Sequence, residues 1–143
     1  DISDAALEIA RFNAEKLGLS ENVAFVRGDL LSGMDFPADV IVSNPPYIST
    51  QEMRTLQHEV KCEPALALEA GVDGLDVYRR LVPQSFECLK PGGLLIVEIG
   101  SRQSEPVEAL FRTAGFSSVR TFCDYAGLPR MVVGLCAEKG GRT

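Results

Sequence analysis

Apolar positions recur along this chain in two periods, and the switches between them mark out its elements. In "DISDAALEIARFNAEKLGL", Ala6, Ile9, Ala10, Asn13 and Leu17 share one helical face, with Ser3 placed to cap the first turn and Gly18 to stop the last. "VAFVRGD" (23–29) and "ADVIVSN" (38–44) then read as strands, the second with almost no polar alternation. Such runs suit strands covered on both faces. After a looser stretch with Glu59, Glu63 and Pro64, Leu75, Tyr78, Val82, Phe86 and Leu89 return to helical spacing, and "KPGG" closes that helix. "LLIVEIG" (94–100) follows as a third buried strand. Val107, Leu110, Phe111 and Ala114 form another helix face ended by Gly115, and "VRTFCDY" and "RMVVGLC" are two short strands before a polar tail, "EKGGRT". Alternating strand and helix predicts an α/β fold with a largely parallel sheet.

Composition narrows the function classes. The chain has 143 residues, enough for one domain or part of one, and 45% hydrophobic content supports a packed core. A net charge of −6 and a pI near 4.8 offer no broad basic surface, which disfavours nucleic acid as substrate. Cys62, Cys88, Cys123 and Cys136 contain no C-x-x-C pair and read as reduced core thiols. No apolar run reaches the roughly 18 residues of a membrane span and no signal-peptide pattern opens the chain, so the cytoplasm is the default location. His58, the only histidine, reads as a surface residue, and no motif places it in a Ser-His-Asp arrangement or calls for a metal.

In open α/β sheets the ligand lies beyond the carboxyl ends of the strands. Asp29, Asn44 and Glu98 stand at or near three such ends, and Asp1 joins them if a strand precedes it. The second end is distinctive. In "SNPPY" each proline fixes its own φ and biases the residue before it toward extended geometry, leaving carbonyls without neighbouring amide donors. Asn44 adds a side-chain acceptor and Tyr47 a flat face for stacking on a planar group. Acceptors around a planar amino group suit nitrogen alkylation.

"SNPPY" resembles the substrate motif of methyltransferases that use S-adenosylmethionine, a motif shared by DNA adenine, RNA guanine and protein glutamine enzymes. Together with "DIS..AL..A..NA..LGL", "GDLL", "EV..EPALALEAG.DGLDVYRRL", "LKPGGLLIVEIG..Q" and "D.AG..R.VVG", it resembles the release-factor glutamine methyltransferases, the HemK family, almost from end to end. Glu69-Ala70 departs where that family more often has a second glycine, a change expected to be tolerated. The resemblance implies a Rossmann-like class I methyltransferase sheet. It implies that Asp1 accepts hydrogen bonds from the cofactor ribose, that Asp29 and Leu30 lie beside its adenine, and that Asn44, Pro45, Pro46 and Tyr47 hold the substrate amide, with Asn44 also reaching the cofactor. Catalysis would rest on Asn44, Pro45 and Tyr47, with Glu98 either a wall of the site or a satisfied carboxylate.

Members of this fold place a glycine-rich loop about 20 residues before the ribose-binding acid, yet none of the 13 glycines forms a G-x-G. The expectation is an incomplete sheet. Residues 1–143 would be the C-terminal portion of a single methyltransferase domain, lacking the first two strands, the glycine loop and the helical recognition domain before them. Of the implied strand order 3-2-1-4-5-7-6, "VAFVRGD" would be strand 3 and "DVIVSN" strand 4. The leading function is methylation of the glutamine in the Gly-Gly-Gln loop of peptide chain release factors. A DNA or RNA N-methyltransferase using the same corner, and a truncated module inactive by itself, stay open as alternatives.

Overall fold

The computed structural model describes residues 1–34, 36–55 and 64–137, so the expectations for Glu59, Glu63, Cys62 and His58 fall outside the described residues. The chain divides into two compact units, Asp1–Phe36 and Pro37–Thr143.

In the first unit, helix α1 (Asp4–Lys16) starts where expected: the Ser3 hydroxyl accepts the Ala6 amide at 3.2 Å, and Asp4 and Lys16 sit at the helix ends that favour their charges. Its buried face is not the expected one. Leu7 and Ala14, two turns apart, are buried, while Ile9 is 63% and Leu17 71% exposed. The chain returns along α1, with the Arg11 guanidinium over the Phe25 ring, and this covering selects the buried stripe. The strand expected at residues 23–29 does not form. Its backbone meets Asp1, through the Asp1 amino group to the Val26 carbonyl and the Gly28 amide to the Asp1 carbonyl, both 3.0 Å, and at its end the Asp29 amide meets the Ser32 hydroxyl. A strand exists only through a partner's ladder, and among the described residues this run has none.

The second unit is a four-stranded sheet with helices. Strand β1 (Ala38–Ser43) is followed by a short helix α2 (Thr50–Met53), helix α3 (Asp76–Cys88), strand β2 (Leu89–Glu98), helix α4 (Ser104–Ala114), and strands β3 (Phe116–Cys123) and β4 (Pro129–Cys136). The order is β1-β2-β4-β3, which reproduces the 4-5-7-6 part of the implied arrangement. The sheet is mixed, not largely parallel: β1 and β2 run parallel, but β4 is antiparallel to both β2 and β3. A short β3–β4 hairpin brings the chain straight back, which only an antiparallel pair allows. "KPGG" does not end a helix in a loop. It belongs to β2, where a register shift between Ala38↔Leu89 and Val40↔Leu94 absorbs it as an irregularity.

The core lies on one face. Ile41, Leu95, Val97 and Val132 point to α3 and α4, where Tyr78, Val82, Val107 and Phe111 are fully buried. Phe116 packs edge-on to Phe86 and tilted against Phe111, with ring centroids 5.2 and 5.1 Å apart. Gly115, with φ of +103°, ends α4 in the left-handed conformation that glycine adopts at least cost. The alternate residues of β1 do not share this burial: Val42 is 71% exposed, because both large helices cover the same face. The cysteines also divide, with Cys136 buried, Cys88 half-buried and Cys123 exposed, so the core-thiol expectation holds for Cys136 alone among the described three.

Candidate functional site

Parallel pairing of Ser43 with Val97 sets the carboxyl ends of β1 and β2 side by side, so Asn44 and Glu98 leave the sheet at the same edge. Asn44 is exposed and Pro45 buried, which anchors the corner by its first proline and leaves the amide side chain outward. Both Asn44 and Glu98 line a cleft of about 450 Å³ that also includes Arg130 and Phe122. Tyr47 lines a second cleft of about 950 Å³ with Gln103 and, again, Arg130. The corner thus separates two cavities and Arg130 borders both.

Tyr47 is held at both of its ends. Its hydroxyl donates to the Glu98 carboxylate at 3.4 Å, and burial, then the nearby Glu98 charge and this bond, push the phenol above its ordinary range. Its carbonyl accepts the Gln103 side-chain amide at 2.9 Å. Beyond it, the Ile48 amide donates to Leu68, the Ala70 amide returns to Ile48, and the Thr50 amide donates to Gly71. Ala70 is 2% exposed, so its methyl fits where the second glycine was expected. The Ser49–Glu52 capping box then opens α2, and the Ser49 bonds hold the Glu52 carboxyl below its usual range.

Arg130 is fixed from the hairpin. Asp124 accepts the Ala126 and Leu128 amides and the Arg130 Nε, the last at 3.0 Å, so one carboxylate shapes the turn and aims the guanidinium. Tyr78 donates to the Glu98 backbone carbonyl at 2.6 Å, tying α3 to the same strand end.

In the first unit, Asp1 and Leu30 line a cavity of about 330 Å³ walled by Phe25, Val26 and Phe36. The Asp1 carboxylate accepts the Ser3 amide at 2.8 Å, and Leu30 carries a positive φ of 56°. Asp29 is exposed and is not among the residues lining that cavity; its amide meets the Ser32 hydroxyl at 2.9 Å. A carboxylate beside an apolar, aromatic-walled cavity suits a ligand with hydroxyls at one end and a flat ring at the other. Within the second unit, Asn44, Pro45, Pro46 and Tyr47 belong to one corner. The sequence reading did not single out Gln103, Gly74 or Arg130 by role. All three stand within the quoted resemblance, but only folding shows what they touch.

Comparison with known proteins agrees with this geometry. A family model described as a methyltransferase domain matches residues 1–125. The chain belongs to the methyltransferase-domain family. It is 49% identical over 137 residues to the release factor glutamine methyltransferase of Caulobacter vibrioides, covering 94% of this chain and 47% of that protein. It is 46% identical over 132 residues to that of Moorella thermoacetica, covering 91% and 47%. The chain therefore spans about half the length of the curated relatives it matches. Among solved structures, a methyltransferase from Pyrococcus furiosus superposes with a TM-score of 0.65 at 18% identity, covering 96% of this chain and 60% of that one, a likeness of fold. The resemblance drawn from "SNPPY" and its companion segments is upheld, and the fold is that of class I Rossmann-like methyltransferases. No helix among the described residues is long and apolar enough to cross a membrane.

Proposed function

We propose that the protein carrying these residues transfers a methyl group from S-adenosylmethionine to the side-chain amide nitrogen of the glutamine in the Gly-Gly-Gln motif of peptide chain release factors, acting in the cytoplasm. The observation that carries this is the Asn44–Tyr47 corner, exposed at Asn44, anchored at buried Pro45 and placed beside Glu98 at the sheet's carboxyl edge. The names of the half-length relatives support the choice of substrate.

An amide nitrogen is a weak nucleophile because its lone pair is delocalised into the carbonyl. The Asn44 side-chain oxygen and the Pro45 carbonyl would accept its two hydrogens, favouring a pyramidal nitrogen whose lone pair points away from them. Tyr47 would stack on the flat amide and limit its orientation. S-adenosylmethionine, when bound, supplies a methyl group activated by its sulfonium. The Asp1 carboxylate would hold its ribose hydroxyls, and Leu30, with Asp29 next to it, would border its adenine. We also propose that residues 1–143 are the C-terminal portion of one such domain and are inactive without the remainder.

The test is a methyl-transfer assay with radiolabelled cofactor on the intact protein, offering a release factor, DNA and RNA. Label in the release-factor glutamine is expected, and the Asn44→Ala variant should lose about 2.7–4 kcal/mol of transition-state stabilisation with cofactor affinity little changed. Label in nucleic acid alone, or normal turnover in the variant, would overturn the reading.

A further inference from the structure

We infer that Gln103 is a positioning residue for the Asn44–Tyr47 corner, fixing the Tyr47 end of the substrate site through its side-chain amide; this rests on the glutamine-methyltransferase reading above. Gln103 lies at the start of α4, and its side chain joins three segments that are distant in sequence. Its Nε2 donates to the Tyr47 carbonyl at 2.9 Å and to the Gly74 carbonyl at 3.2 Å, and its Oε1 accepts the Gly100 amide at 3.0 Å. Both amide hydrogens and one acceptor site are used. Only a primary amide presents two donors and an acceptor in this flat arrangement, so a glutamate would set a carboxylate against two carbonyl oxygens.

The junction is closed around that amide. Gly74 has a φ of +74°, and a Cβ there would collide with the Tyr47 carbonyl oxygen and lie 2.7 Å from Gln103 Nε2. A Cβ on Gly100 would stand 2.9 Å from Gln103 Oε1. Neither neighbour has room to replace the amide by moving in. The consequence for chemistry follows from the corner's construction. Its first end is fixed by the β1–β2 ladder through Ser43, and two prolines stiffen its middle. The far end turns on the peptide after Tyr47, whose N–H already donates to the Leu68 carbonyl and whose carbonyl is the group left for Gln103 to hold. Gln103 holds that peptide at its carbonyl. Because displacement at a methyl group demands in-line geometry, a corner free to shift by about an ångström would lose on the order of a hundredfold in rate while still admitting the substrate.

The experiment compares Gln103→Leu, Gln103→Glu and Gln103→Asn with Asn44→Ala in the intact protein. Its readouts are kcat and KM for release factor, cofactor affinity by calorimetry, and amide exchange at Ile48, Thr50 and Ala70. Gln103→Leu is expected to lower kcat tenfold or more with cofactor affinity unchanged, and to speed exchange at those three amides. Gln103→Glu should be as impaired at pH 8 and recover relative to the parent as pH falls, since a protonated carboxyl regains one donor. Gln103→Asn, one methylene shorter, should fall between parent and leucine variant. If kcat per folded molecule and the exchange rates match the parent while only thermal stability falls, Gln103 is structural and the inference is overturned. If Asn44→Ala is inactive but Gln103→Leu is normal, this inference fails and the glutamine reading stands. If the parent leaves release factor unlabelled, the glutamine reading fails, and exchange alone decides whether Gln103 positions the corner.

Discussion

Residues 23–29 and 38–44 present almost the same pattern to a reader of the sequence, a short apolar run closing on a polar residue, and they meet opposite ends. Ala38–Ser43 joins β2 in a parallel ladder and becomes the edge from which Asn44 projects. Val23–Asp29 joins no ladder among the described residues; its backbone bonds include those to Asp1 and, at Asp29, to Ser32. The same contrast runs through the helices: α4 buries Val107 and Phe111 completely, whereas α1 leaves Ile9, Phe12 and Leu17 exposed. An apolar pattern is therefore a capacity to pair, and whether it becomes structure depends on a partner elsewhere in the chain. The two candidate sites divide along the same line, with the corner built on the β1–β2 ladder and the Asp1 cavity on a segment that joins no ladder among the described residues.

The largest test of this contrast is in the cores. Phe111 is fully buried between α4 and the sheet, with its ring against Phe116, so Phe111→Ala should cost about 3–5 kcal/mol in urea denaturation. Phe12 is 57% exposed, and in the same 143-residue chain Phe12→Ala should change stability by less than about 0.5 kcal/mol. Equal losses at the two positions would show α1 to be as well packed as α4 and would remove the distinction.

Much of the second unit was legible because its signals are local. The helix periodicity, the Gly115 stop and the two closing strands all fell within a few residues of their observed places. The corner was legible for the same reason, since prolines and an aromatic act on their own backbone. The misreadings are all nonlocal. Leu7 and Ala14 are buried because of what returns over α1, and nothing in their spacing ranks them above Ile9 and Leu17. "KPGG" has the composition of a turn, but the β1 ladder resumes after it and makes it part of β2. Gln103, which the sequence placed only as the last residue of "EIG..Q", received no role for the same reason: its two carbonyl partners lie 56 and 29 residues away.

The next contrast compares the sites. Asp1→Ala in the intact protein should weaken S-adenosylmethionine binding by about 1.5–3 kcal/mol, as expected for removing a charged acceptor from hydroxyl donors. Asp29→Ala should cost less, because Asp29 does not line the Asp1 cavity and water can serve a neutral amino group in its place. Calorimetry on both variants checks this. Parent-like binding by Asp1→Ala would detach the first unit from the cofactor and leave the corner as the only supported site.

The smallest effect separates two ion pairs. Arg79 forks onto both oxygens of Asp73 and also reaches Asp76, while Arg27 meets Asp4 through one contact of 3.3 Å with both side chains about two-thirds exposed. The bonds from Arg79 hold the Asp73 carboxyl down to about 2. Because the folded value lies below the ordinary carboxylate value near 3.9, the pair's contribution is complete above about pH 4 and fades as pH falls through about 2. Both groups are open to solvent, so the contribution is small and screened by salt. Asp73→Asn should therefore lower Tm slightly at pH 7, and the gap from the parent should narrow below pH 4 and close near pH 2. Arg27→Gln should leave Tm at pH 7 within error, since a single exposed contact gains little over hydration. A Tm series from pH 2 to 7 at two salt concentrations decides it: a gap for Asp73→Asn that stayed constant with pH would mean the residue acts through its acceptance of the Leu75 amide, which an asparagine retains only in part, and not through Arg79.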